Sequence, residues 1–319
     1  MKARSVLAVV AILVLLLGVL GVVPGFAQDR VPTGSKDPTS PTALTTEDLT
    51  GALTPSDLAN SLVGTGISIS NVTYTGADEA AGTFSGGTGI IGFESGIMLS
   101  SGDIINVVGP NVQDGIGTNN GTSGDTDLTD LSGFPTNDAA VLEFDFVPDG
   151  DAVTFSYVFA SDEYNEYVHS SYNDVFAFFI NGVNCATING DPVSVNTINN
   201  GNPYDTDPRE HPEYFINNDL DDGGGAIDTE MDGLTVVLAC DSAVTANETN
   251  HIKLAIADAS DYILDSNVFL QAGSFEVPEP EPEEAPPFVP EASTLVLLGT
   301  GAAGLASYVG LQIRARRRK

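Results

Sequence analysis

Phe155-Ser156-Tyr157-Val158-Phe159-Ala160-Ser161-Asp162-Glu163-Tyr164, followed shortly by Asp174-Val175-Phe176-Ala177-Phe178-Phe179-Ile180, decides the fold class of this chain. The first stretch repeats its aromatic residues at every second position, the period of a strand with one face on a core. The second is apolar on both faces, which predicts a strand covered on both sides. The same two-residue period recurs on either side: Leu142, Phe144 and Phe146, then Leu234, Val236, Leu238 and Cys240, then Ile252, Leu254 and Ile256, then Val268, Leu270 and Ala272. Glycine-rich turns at Gly86-Gly87, Gly121 and Gly223-Gly224-Gly225 separate the runs. One short helix is expected near the start, because Thr54-Pro55-Ser56-Asp57 supplies N-cap chemistry and Leu58, Leu62 and Val63 follow at helical spacing. The pattern predicts an all-β domain, a β-sandwich of jelly-roll type with one short N-terminal helix.

Both chain ends read as addresses. Lys2 and Arg4 precede an apolar core from Val6 to Val23, and Gly25-Phe26-Ala27 places small residues where a signal peptidase cuts. Residues 1–27 are therefore expected to be a cleavable signal peptide. At the other end, Val289-Pro290-Glu291-Ala292-Ser293 leads into an uncharged run from Thr294 to Ile313, then Arg314-Ala315-Arg316-Arg317-Arg318-Lys319. A helix of that length rises about 30 Å, enough to span a membrane over 294–313, with the basic cluster on the cytoplasmic side. The motif Pro290, Glu291, Ala292 with its span and basic tail resembles the PEP-CTERM sorting signal of Gram-negative bacteria, with Ala292 in place of the usual second proline. That resemblance implies processing of 289–319 by exosortase, and the alternative is a plain tail anchor. The expected location is exported: an inner-membrane intermediate, then the envelope surface or extracellular matrix. Residues 28–43 read as a flexible lead-in, and 277–288, rich in Pro and Glu, as an extended linker.

Seven of the eleven Lys and Arg residues lie in those ends, so the segment from Asp29 to Glu291 holds four basic against 44 acidic residues, a net −40. Such a chain repels nucleic acid and anionic membrane. The acidity calls for neutralisation by bound calcium, or else reflects adaptation to salty surroundings.

A second resemblance covers residues 44–276. Leu53-Thr54-Pro55-Ser56-Asp57-Leu58, Gly96-Ile97-Met98-Leu99-Ser100-Ser101-Gly102, Gly124-Asp125-Thr126-Asp127-Leu128 and Ala139-Ala140-Val141-Leu142-Glu143-Phe144-Asp145-Phe146 occur in family order. With the two stretches quoted first, and with Leu254-Ala255-Ile256-Ala257-Asp258 and Asp265-Ser266-Asn267-Val268-Phe269-Leu270, they resemble the choice-of-anchor L domain. The resemblance implies an extracellular surface module with a binding or structural role, its partners surface polysaccharide or surface proteins. It brings no established activity or binding residues.

Asp162, Glu163, Asn173 and Asp174 stand at the two lips of one loop and are the candidate calcium ligands; the alternative is capping of turn amides. Asp258, Asp261 and Asp265 form a similar cluster. Asn217-x-Asp219-x-Asp221-x-Gly223, with Asp228 beyond, half matches a calcium loop, but Asp222 stands where an EF-hand has glycine, and it reads first as a solvated acidic loop. Asp125, Asp127 and Asp130 are suggestive and unspecific. Cys185 and Cys240, the only cysteines, are expected to form a disulfide in an exported chain. His169, His211 and His251 lack zinc spacing. Catalysis finds little support. Glu143 and Asp145 share a strand face, but Pro148 replaces the last glutamate of a sandwich-glycosidase pattern, so a carbohydrate-active hydrolase is only the alternative reading.

Overall fold

The computed structural model describes residues 43–279 except Asp114 and Asp207, together with Leu305, Ala306, Tyr308, Val309 and Arg314, which are helical. The signal peptide, the motif Pro290, Glu291, Ala292 and most of the expected span lie outside the described residues. Among the described residues no helix is long and apolar enough to cross a membrane.

Among the described residues fifteen strands run in chain order: β1 (Thr45–Asp48), β2 (Ile67–Thr75), β3 (Ala81–Ser85), β4 (Ser95–Ser100) and β5 (Thr136–Pro148) come first. β6 (Ala152–Ser161), β7 (Val175–Ile180), β8 (Val183–Asn184), β9 (Thr187–Ile188) and β10 (Asp191–Pro192) follow. β11 (Phe215–Asn217), β12 (Gly233–Thr235), β13 (Leu238–Ala243), β14 (Asn250–Ala259) and β15 (Ser266–Gln271) complete them. One large sheet has the order β1-β3-β4-β15-β6-β12-β11, with β13 also paired to β6; the other has the order β2-β5-β14-β7-β8, and β9 and β10 form a small two-stranded sheet of their own. All their pairings are antiparallel. From β4 to β7, and again from β13 to β15, successive long strands alternate between the two sheets.

The period-two residues meet between the sheets. Phe155, Tyr157 and Phe159 of β6 face Phe176 and Phe178 of β7, with Phe144 and Phe146 of β5 and Ile252, Leu254 and Ile256 of β14 beside them. The ring centroids of Phe159 and Phe176 are 4.9 Å apart, and those of Tyr157 and Phe178 are 5.0 Å apart. Each fully buried Phe contributes about 1.5–3 kcal/mol through area removed from water, so this seam is the main source of stability.

The expected helix is present as α1 (Pro55–Leu62). Thr54 caps it, accepting from the Asp57 amide, while Asp57 accepts from the Thr54 amide. A second α-helix, α2 (Thr126–Ser132), corrects the expectation of a single helix. Asp125 is its N-cap, accepting from the amides of Asp127 and Leu128. Leu128 packs on Val175 and Ala177 of β7 and Ala255 and Ala257 of β14, small residues that admit a close helix. β7 is thereby covered on both faces, as its sequence requires. The outer face of the larger sheet, with Met98, Val158, Ala160 and Phe269, is covered by Ile91, Phe93, Ile104, Val107 and Ile116 from two long connections.

Two fastenings hold the edges. Cys185, just after β8, is bonded to Cys240 on β13 with Cα atoms 5.2 Å apart, joining one sheet to the other along one side. At the point where the chain leaves the domain, the Phe275 amide donates to the Leu62 carbonyl and its carbonyl accepts from the Gly64 amide. Glu276 and Thr154 exchange both backbone bonds at 3.0 Å. The Phe275 ring is 1% exposed. It lies 5.0 Å from Phe146 and 5.7 Å from Phe155, centroid to centroid.

Candidate functional site

One end of the sandwich gathers carboxylates. β6 runs out into Asp162 and Glu163, Asp174 opens β7, Asp258 closes β14 and Asp265 opens β15, with Asp138 near the start of β5. None of these six is more than 2% exposed. Five of them accept from backbone amides, whereas neither oxygen of Asp258 has a hydrogen-bond partner among the described residues. Asp162 accepts from the amides of Ile116 and Asp232, each at 3.2 Å. Asp265 accepts from the Thr118 amide through both oxygens, at 3.0 and 3.1 Å, and from Asn106 Nδ2 at 3.2 Å. Asp138 accepts from the amides of Asn120 and Thr122. A Cβ on Gly102 would collide with the Asp265 carboxylate, so glycine is required there for close approach.

These amides offset part of the cost of burial. Loss of solvent pushes Asp162, Glu163, Asp174 and Asp258 well above the ordinary carboxylate range, and neighbouring acids add to it. Burial raises Asp265 to about 7 against the pull of its bonds to Thr118 and Asn106.

Of the four candidate calcium ligands, two meet and the other two turn to separate partners. Glu163 and Asp174 meet, the Asp174 amide donating to Glu163 Oε2 at 3.0 Å, and Asp174 Oδ1 accepts from the Ala259 amide. Asp162 is taken by Ile116 and Asp232, while Asn173 Oδ1 accepts from the Asn196 amide at 2.9 Å. Among the described residues no three His, Cys, Asp or Glu side chains form a group able to hold a metal ion. Asp261 is part-buried near Asp174.

The loop after β11 is more ordered than a solvated acidic loop. Asn218 and Asp219 are fully buried. Asn218 Nδ2 reaches the carbonyls of Thr229 and Met231, and its Oδ1 accepts from the Ile227 amide. Asp219 Oδ1 accepts from the amides of Asp221 and Asp222. Asn165, which belongs to no sequence motif, places its Nδ2 3.0 Å from Asn217 Oδ1, 3.4 Å from Asp219 Oδ2 and 3.3 Å from Asp222 Oδ2. No motif joins Asn165 to a loop more than fifty positions onward, so only the fold could reveal it.

The other candidates are structural in geometry. Lys253 Nζ lies 2.7 Å from Asp125 Oδ2 and 2.6 Å from Asp127 Oδ2, tying α2 to β14. Glu143 and Asp145 stand on the solvent face of the smaller sheet with His251 between them, its Nδ1 2.9 Å from Asp145 and its Nε2 3.4 Å from Glu143. His169 Nε2 donates to the Pro208 carbonyl, and His211 lies 3.6 Å from Glu213.

Together these features define a class: a two-sheet, antiparallel all-β domain with a disulfide between its sheets and a carboxylate-rich end. More particularly, the chain belongs to the choice-of-anchor L domain family, whose model matches residues 45–276. Membership indicates a surface-associated or exported protein. No curated protein and no solved structure matches the chain.

Proposed function

We propose that this protein is an exported surface module with a binding or structural role, stabilised by calcium and delivered through a PEP-CTERM-type tail. The observation that carries the reading is the Cys185–Cys240 bridge inside a domain of this family. A disulfide between two sheets forms and persists in oxidising surroundings, which the periplasm and cell surface supply. The strand order supports winding of the sandwich as a jelly roll. Calcium enters because 44 acids face few cations, and hard oxygen donors outside the cell meet that ion at high concentration. Polysaccharide of the cell's own surface, or a neighbouring surface protein, is the partner class.

Fractionation of the native host with intact-mass measurement tests this reading. The protein should appear in the surface or matrix fraction, begin at Gln28 and lack the segment after the Pro290-Glu291-Ala292 motif. A chain recovered in the cytoplasm, or one still carrying Arg314 to Lys319, overturns the export-and-sorting reading.

A further inference from the structure

Asn165 has an arithmetic problem. Its Nδ2 carries two hydrogens, yet three oxygens lie within 3.4 Å of it: Asn217 Oδ1, Asp219 Oδ2 and Asp222 Oδ2. Its own Oδ1 is buried and accepts from no donor, on a side chain 2% exposed. A half-turn of the amide exchanges the two atoms. An oxygen then stands 3.0 to 3.4 Å from three other oxygens. Adjacent ligands at right angles around an ion with bonds of 2.3–2.6 Å are separated by about 3.3–3.7 Å, whereas magnesium's 2.0–2.1 Å bonds give about 2.8–3.0 Å. The upper part of the observed spacing matches the larger ion.

Four further features favour a cation over a bare acidic turn. Asp219 Oδ1 is held by the amides of Asp221 and Asp222, leaving Oδ2 toward the Asn165 amide. Asn218 braces the loop from below, and the backbone of Gly224 passes too close to Asn218 for any Cβ. Among the described residues no Lys or Arg forms an ion pair with Asp219, Asp221 or Asp222. Asp221 and Asp222 are exposed, which leaves a path for an ion from solvent.

The geometry points to a divalent-cation site of calcium's size, formed by the side-chain oxygens of Asn165, Asn217, Asp219 and Asp222. It deepens the calcium part of the functional reading and leaves export to its own test. Half of the donors are amides, so the site differs from an all-carboxylate cage. Two carboxylates place it with the weaker extracellular calcium modules, with a Kd of about 10⁻⁴–10⁻³ M.

Calorimetric titration of chelator-stripped protein purified from its host tests the site, with calcium chloride and magnesium chloride in parallel. One calcium per chain should bind, and magnesium more weakly. Asp222→Asn, on an exposed residue, should weaken calcium by roughly tenfold or more. Asn165→Asp removes the donor and adds a carboxylate. Without calcium this variant should melt below the wild type; with calcium it should recover and bind more tightly. Unchanged calcium affinity in Asp222→Asn, or failure of calcium to rescue Asn165→Asp, overturns the site while a calcium requirement elsewhere would stand. Absence of calcium binding by the wild type overturns both, and neither result bears on the cellular location.

Discussion

Acidification should stabilise the calcium-free domain, contrary to the behaviour of a protein held by ionised carboxylates. Asp265 shows why. Its carboxyl has a value near 3.8 in the unfolded chain and is raised to about 7 in the fold. The folded state therefore holds the proton more tightly, and stability is lost as pH rises from the unfolded value through the folded one. Its contribution is fully present below pH 4 and largely gone above pH 7. From pH 7 down to pH 5 this one residue should return about 2 kcal/mol by linkage. Asp162, Glu163, Asp174 and Asp258 are raised in the same direction and add to the gain, though not independently, because they face one another. Urea denaturation at constant ionic strength in chelator reads the effect. Measurement in a His251→Gln background removes the histidine held between Glu143 and Asp145. The wild-type midpoint should rise on going from pH 7 to pH 5, and Asp265→Asn should lose a comparable part of that rise whatever its absolute stability. A midpoint that is flat or falls toward pH 5, or an unchanged slope in Asp265→Asn, refutes the argument.

Other outcomes follow from features at a distance from the acidic end. Alkylation of the denatured, unreduced protein should label neither Cys185 nor Cys240, and replacing both with serine should cost about 4 kcal/mol in the chain-entropy model for a separation of 55 residues; two labels per chain would contradict the bridge. Phe275→Ala should cost about 3–5 kcal/mol by equilibrium unfolding, because a ring in contact with three others leaves a cavity; a loss under 1 kcal/mol would show that the exit segment is not part of the core. Thr54→Ala should cost about 1 kcal/mol through loss of the cap, measured in the same way.

The sheets were legible because an alternating pattern is written residue by residue. Phe155, Tyr157 and Phe159 point to one face wherever the strand is placed, and the doubly apolar Val175–Ile180 announced cover on both sides. α2 is not legible in the sequence because its seven residues give too few turns for a period, and its cap, Asp125, sits among acids that resemble a ligand set. The buried carboxylates were the harder case. Aspartate in a loop reads as solvated, and the amides that make Asp162 and Asp265 tolerable come from Ile116, Thr118 and Asp232, remote in sequence. Glu163 and Asp174 meet across the loop, but the separate partners of Asp162 and Asn173 depend on backbone direction, which residue types do not encode. The disulfide was readable from an even cysteine count in an exported chain.

The Phe275 clasp also fixes an orientation. It grips the start of β6 at Thr154, whereas the carboxylates and the Asn165 loop lie beyond its last residue, Ser161. Seven residues of strand separate the two, roughly 23 Å. Whatever holds the C-terminus therefore pulls on one pole of the domain. The chain thus leaves the domain at the end of β6 remote from the carboxylate-rich loops. Tension applied to the C-terminal segment would enter the domain through a backbone pairing and a wedged aromatic ring, away from the acidic loops.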